Sequence, residues 1–187
     1  MSWVADLVED GAASDRDLIV GIDPGRDGGV AVLSKAGELV DAIRIEWATI
    51  SPTHWLMSKT KRLWPRVAFL AVEEPIAYKG KDALTSSMMK VALQSGVWIG
   101  IARAGGVEET RIILVRPQTW QAKVIGPLRR GMPTKAASKE TARRLVGAAH
   151  ERIRLRNDSI HDGLADAVCI AEYGRAQFVR SLVLAAG

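Results

Sequence analysis

Residues 18–34, LIVGIDPGRDGGVAVLS, decide the fold. An apolar run ends in a single acid, Asp23. A turn rich in proline and glycine follows, and a second apolar run begins at once. Two short apolar runs joined by Pro24-Gly25-Arg26-Asp27 form a β-hairpin pattern, with strands over 18–23 and 28–34. A third strand over 38–47 follows Lys35-Ala36-Gly37, so the chain opens on an antiparallel meander. A turn alone does not call for a carboxylate at position 23, which makes Asp23 the first candidate for chemistry.

Downstream the pattern changes. Ser51 as N-cap and Pro52 at the first helical position open a helix to about residue 64. RVAFLAVEE, 66–74, is a short apolar strand ending in two acids. It lies between that helix and another over 81–97, the arrangement of a crossover into a parallel position. RIILVR, 111–116, is a further strand, stopped by Pro117. Helices follow over 118–125, 134–150 and 160–180. The expected architecture is α/β: a central mixed sheet, three antiparallel strands followed by parallel strands, with helices on both faces. Residues 1–17 are expected to form an N-terminal extension and 18–187 one domain.

Composition narrows the class. The chain has 187 residues, 48% hydrophobic and 25% charged, enough for a full core and unlike a disordered chain. No apolar stretch reaches the roughly 18 residues of a membrane span, and the acidic N-terminal segment has no signal-peptide pattern. Cys169 is the single cysteine, which excludes a disulfide framework and a thiolate zinc cluster and fits a reducing, cytoplasmic setting. The net charge is +5, but residues 127–156 alone carry +7, with nine basic side chains against Glu140 and Glu151. Such a segment is either a solvated face or a footprint for an anionic partner.

The acids form the second constellation. In IHDGLADAVCIAEYG, 160–174, Asp166 sits within an apolar helical run, and Asp162 lies four residues earlier on the same face. Two like charges so placed repel, and either protonation or a bound cation relieves them. His161 is a candidate water activator or metal ligand, or a helix cap. Asp23 and Glu73 end strands, where sites gather in open α/β sheets. Together Asp23, Glu73, Asp162 and Asp166 offer hard oxygen ligands suited to Mg²⁺ or Mn²⁺. A pair of such ions can activate water and stabilise the leaving oxygen in phosphodiester cleavage.

These motifs, in this order, resemble the RuvC-type Holliday junction resolvases of the RNase H-like superfamily, including its phage-type members. GIDPG, 21–25, is similar to the family's opening motif, FLAVEEPIAYKG, 69–80, to its strand-Glu-loop motif, and LADAVCIA, 164–171, to its closing helix. The resemblance implies that Asp23 bridges the metals, that Glu73 is the strand-ending ligand, that Asp166 is the helix ligand and that Lys79 meets a phosphate. Glu74 alternates to the opposite face of the strand. The family commonly places its other helix ligand three residues before the final Asp. Here that position is Gly163, which leaves Asp162, one residue earlier, or His161, two earlier, as the fourth ligand; the i,i+4 relation to Asp166 favours Asp162.

The resemblance further implies a homodimer that nicks paired strands of a four-way DNA junction, with two Mg²⁺ or Mn²⁺ ions per site, in a bacterial or phage-infected cell. Leu84, Met88, Val91 and Ala92 on the 81–97 helix are candidates for the dimer face, or for core packing. Lys135, Lys139 and Arg143 recur every four residues along one helical stripe. With Arg129 and Arg130 on the preceding loop they are assigned to phosphates. Tyr78 or Ile76 could stack on or wedge between bases, or merely pack the loop, the reading favoured for Ile76. Most of the tryptophans are read as core or interface anchors, and Trp120, beside basic residues, as the best candidate for base stacking. The competing readings are another RNase H-like nuclease acting on RNA or other branched DNA, and a non-catalytic nucleic-acid-binding module. An actin-like ATPase is disfavoured by chain length and by the absence of a phosphate loop.

Overall fold

The computed structural model describes residues 16–45, 63–75, 86–155 and 157–186. The hairpin pattern forms as expected: β1 (Leu18–Asp23), β2 (Gly29–Ser34) and β3 (Leu39–Arg44) are an antiparallel meander. β4 (Val67–Glu73) lies parallel to β1, and β5 (Ile112–Val115) parallel to β4. The sheet order is β3-β2-β1-β4-β5. β1 and β4 are therefore neighbours pointing the same way, and Asp23 and Glu73 end them side by side.

α1 (Ser86–Ala104) runs past the expected end at residue 97 and stops at Gly105-Gly106, where Gly106 has φ +93°. α2 (Pro117–Trp120) starts directly on the proline after β5, whose fixed φ suits a first helical position, and continues as a π-helical turn over Gln121–Ile125. α3 (Thr134–Val146) is shorter than expected. It gives way at Gly147 (φ +52°) to 3-10 turns over Gly147–Ile153. α4 (Asp162–Ala186) extends beyond the expected end at 180. The helix expected over 52–64 lies outside the described residues, apart from Leu63 and the 3-10 turn Trp64–Arg66 that feeds β4.

The alternation of strand side chains splits the core in two. Val20, Ile22, Val32, Leu70 and Val72 pack on one face with Trp64, Trp98 and Ala102. Ile19, Leu33, Phe69 and Ala71 pack on the other against α4, through Ala167, Val168, Ile170 and Ala171. α4 comes unusually close to β1. A Cβ on Gly21 would lie 2.2 Å from the Ala171 backbone nitrogen and 2.4 Å from the Ala167 oxygen. The first glycine of GIDPG is thus a packing requirement that brings the helix down onto the strand carrying Asp23.

Candidate active site

Three acids face one another across the helix–sheet junction. Asp23 leaves the end of β1 and Glu73 the end of β4. Both occupy odd-numbered strand positions that share a face with Ile19, Phe69 and Ala71, which pack against α4. Asp166, in the second turn of α4, completes the group. Asp23 and Asp166 repel each other, and Glu73 is repelled by both. Burial pushes the Asp23 carboxyl up to about 7. The Gly25 N–H and Lys135 oppose that rise, and Asp166 and Asp27 add to it. Burial, reinforced by the charge of Asp23, pushes Glu73 up to about 8. Asp166 is also raised, chiefly by burial, with Asp162 adding to the effect.

Each of these acids accepts a hydrogen bond from a neutral donor. The Gly25 backbone N–H donates to Asp23 Oδ1 at 2.8 Å, and Trp120 Nε1 donates to Glu73 Oε2 at 2.8 Å. The Ser138 hydroxyl, brought in by α3, donates to Asp166 Oδ1. Trp120 is 1% exposed, so the expectation that it stacks on bases is corrected: its ring is core and its N–H serves Glu73. Trp64 and Trp98 are core anchors as expected. Ser138 carried no expectation. Its sequence signal is a hydroxyl on the apolar stripe of α3 formed by Ala137, Thr141, Ala142 and Val146.

Asp162 stands apart from the other acids. Lys139 Nζ lies 2.5 Å from its Oδ1 and Lys135 Nζ 3.1 Å from its Oδ2. The lysines hold its carboxyl below the usual range, against the raising effect of burial. Its i,i+4 relation to Asp166 is preserved, but both of its oxygens are engaged by cations. Lys135 also acts on Asp23 and Asp166, so one ammonium stands over the acid group.

His161 is buried, and its Nδ1 accepts the Leu164 backbone N–H at 3.2 Å. Nδ1 is then unprotonated in the role of a helix N-cap. Burial and the positive charge of Arg44 lower its pKa, which favours the neutral ring. Gly163 has no room for a side chain. A Cβ there would lie 2.0 Å from the Asp27 carbonyl oxygen and 2.6 Å from Gly28 Cα. The start of α4 is docked directly on the β1–β2 turn.

Glu74 points away as the alternation requires, with Arg116 Nε 3.1 Å from its Oε2. Arg129, Arg130 and Arg143 are exposed, and Arg129 reaches Glu140 at 4.0 Å. Lys79, Tyr78, Ile76 and Leu84 lie outside the described residues, as does the side chain of Met88. On α1 the outward apolar stripe is Met89, Leu93 and Val97, at 64%, 66% and 37% exposure, with Ala92 beside it. Val91, expected on that stripe, is half-buried.

The donor set suits a hard divalent cation: buried carboxylates that repel one another, and no thiolate, since Cys169 is buried in the core with its thiol pushed up to about 12. As they stand, no three Asp, Glu, His or Cys side chains among the described residues are gathered closely enough to hold one ion.

No protein-family model matches the chain, and no curated protein matches it in sequence. Among solved structures, T. thermophilus RuvC in complex with a Holliday junction substrate matches with a TM-score of 0.56 at 18% identity. The match covers 88% of this chain and 96% of that one. The fold is that of RuvC. The mixed sheet and the closing helix expected from the motifs are therefore correct, and in this RuvC fold Asp23, Glu73 and Asp166 occupy two adjacent strand ends and the helix laid across them. Among the described residues no helix is long and apolar enough to cross a membrane.

Proposed function

We propose that this chain is a structure-selective, divalent-metal-dependent endonuclease that cuts four-way DNA junctions as a homodimer. The observation that carries this is the group formed by Asp23 and Glu73 at two strand ends and Asp166 on the helix across them in a RuvC fold, mutually repelling and half-buried beside a basic helix. Uncompensated buried carboxylates are costly, and a bound cation offsets that cost. Drawn closer together than they stand here, Asp23, Glu73 and Asp166 would hold Mg²⁺ or Mn²⁺, two ions per site. Bound there, the ions would activate water and stabilise the departing oxygen of a phosphodiester.

The protein's own residues do the remaining work. Gly25, Trp120 and Ser138 each fix one oxygen of an acid. Asp162 can serve a metal only by giving up Lys135 or Lys139, and a released lysine is then available to a phosphate. Arg129, Arg130 and Arg143 extend the basic surface along the backbone of the nucleic acid. Met89, Leu93 and Val97 on α1 provide an apolar face that a second copy would cover, and a twofold dimer matches a nearly twofold substrate.

The test is cleavage of a synthetic four-way junction against linear duplex and RNA–DNA hybrid, each with Mg²⁺, Mn²⁺ or EDTA. Paired nicks on the junction alone, abolished by EDTA, are expected. Preferential cutting of the hybrid would move the activity to RNA, and binding without metal-dependent cutting would leave a binding module.

A further inference from the structure

The two acids on β4 and α4 are held by side chains that carry no charge. Trp120 Nε1 lies 2.8 Å from Glu73 Oε2, and the Ser138 hydroxyl bonds Asp166 Oδ1. Both donors are 1% exposed. Among the described residues neither Glu73 nor Asp166 has another hydrogen bond, so one oxygen of each is fixed and one is left over. The contrast with Asp162 is sharp, since two ammonium groups there neutralise the carboxylate and compete with any ion.

Packing alone does not account for either donor. The indole nitrogens of Trp64 and Trp98 are also buried and find no partner among the described residues, whereas that of Trp120 is directed onto a carboxylate. Trp120 is aimed at Glu73 by the backbone: β5 pairs Val115 with Glu73, and α2 begins two residues later, turning the ring back toward the end of β4. A helical serine commonly bonds its own helix four residues back. Ser138 instead donates across to α4, where its neighbour Cys169 lies 3.9 Å away.

We infer that Trp120 and Ser138 are positioning residues for metal binding: each orients one ligand carboxylate through a neutral donor while leaving its negative charge available to the cation. This rests on the metal-dependent reading above. A neutral donor restricts the carboxylate rotamer without cancelling the charge the ion needs. Loss of such an outer partner typically weakens metal affinity by about 10–100-fold.

The experiment measures Mn²⁺ binding to the full chain without DNA, by the electron paramagnetic resonance signal of free Mn²⁺, for wild type, Trp120→Phe, Ser138→Ala and Ser138→Thr. Circular dichroism confirms that each is folded. Trp120→Phe and Ser138→Ala are expected to weaken Mn²⁺ binding by about tenfold or more. Ser138→Thr keeps the hydroxyl and is expected to stay near wild type. A purely packing role predicts the reverse order, because Ala disturbs a buried site less than the larger Thr. In junction cleavage, the metal concentration for half-maximal rate should rise in Trp120→Phe and Ser138→Ala, with most of the rate recovered at high metal.

Wild-type Mn²⁺ affinity in a folded Ser138→Ala overturns the assignment of Ser138, and the same result in Trp120→Phe overturns that of Trp120. If Trp120→Phe does not fold, the Ser138 pair alone decides whether neutral donors position the ligands. A wild-type chain that cuts the junction with metal while these variants bind Mn²⁺ normally sinks only this inference. A wild-type chain that neither binds Mn²⁺ nor cuts sinks the metal-dependent reading with it.

Discussion

Lys139 Nζ sits 2.5 Å from Asp162 Oδ1, so a carboxylate expected to bind metal is engaged by a cation of the neighbouring helix. With Lys135 on the other oxygen, Asp162 is a lysine anchor in this state. Asp162→Asn should therefore lower junction cleavage less than Asp23→Asn does, measured as single-turnover rates at saturating Mg²⁺. Equal losses would make Asp162 a full ligand.

Asp23 stands at the centre of the repulsion, and replacing its charge removes a proposed ligand without removing the basic surface. Asp23→Asn should bind the four-way junction with near wild-type affinity and cut it at least about 100-fold more slowly, a loss of about 3 kcal/mol or more of transition-state stabilisation. Gel-shift and cleavage assays on the same preparation separate the two properties. Full cutting by this variant removes Asp23 from the mechanism.

The raised carboxyls give a pH signature in metal-free protein. The folded state holds protons on Asp23 and Glu73 up to about pH 7 and 8, whereas ordinary values are 3.8 and 4.5. The folded form thus binds more protons than the unfolded form between those limits, so stability falls as pH rises through that window. Glu73→Gln, in EDTA, should melt higher than wild type at pH 8. The gain should shrink toward zero near pH 4, and each kcal/mol corresponds to roughly 2–4 °C for a chain of this size. A melting difference independent of pH would mean that Glu73 is not held protonated by its surroundings.

Gly163 occupies the place where the resemblance leads one to expect a second helix ligand, and the Asp27 carbonyl fills the space its side chain would need. Gly163→Ala should cost about 1–3 kcal/mol by overpacking, read as a shift in the denaturant midpoint. Gly163→Asp should not gain metal affinity, because the β1–β2 turn must first move away. An unchanged midpoint in Gly163→Ala would show that the helix start can lift off the turn freely.

Basic residues should differ in how strongly they report on salt. Arg143 is exposed and makes no ion pair among the described residues, whereas Lys139 already holds Asp162. Arg143→Ala should reduce the slope of log K against log salt for junction binding by about one. Lys139→Ala should reduce it by less, since its partner exchange releases fewer counterions. The reverse order would mean that the Lys139–Asp162 pair is broken in solution.

The sequence by itself determined the strands, their order along the chain, and the acids at their ends. Alternation of apolar residues and a turn of Pro and Gly are local properties, and a strand's period of two separates Glu73 from Glu74 without any knowledge of neighbours. The same locality explains the misplaced helix ends at 97, 150 and 180. Gly147 ends α3 in a backbone conformation that composition alone leaves open, and α1 and α4 continue past the last residues of their recognised patterns. Only the tertiary structure decided which groups touch the acids. Trp120 reaches Glu73 across 47 positions and Ser138 reaches Asp166 across 28, and Gly163 is bare because a carbonyl from position 27 lies against it. A hydrogen bond depends on distance and angle to within a few tenths of an ångström, and those are fixed by the packing of α2, α3 and α4 around the sheet rather than by any spacing along the chain.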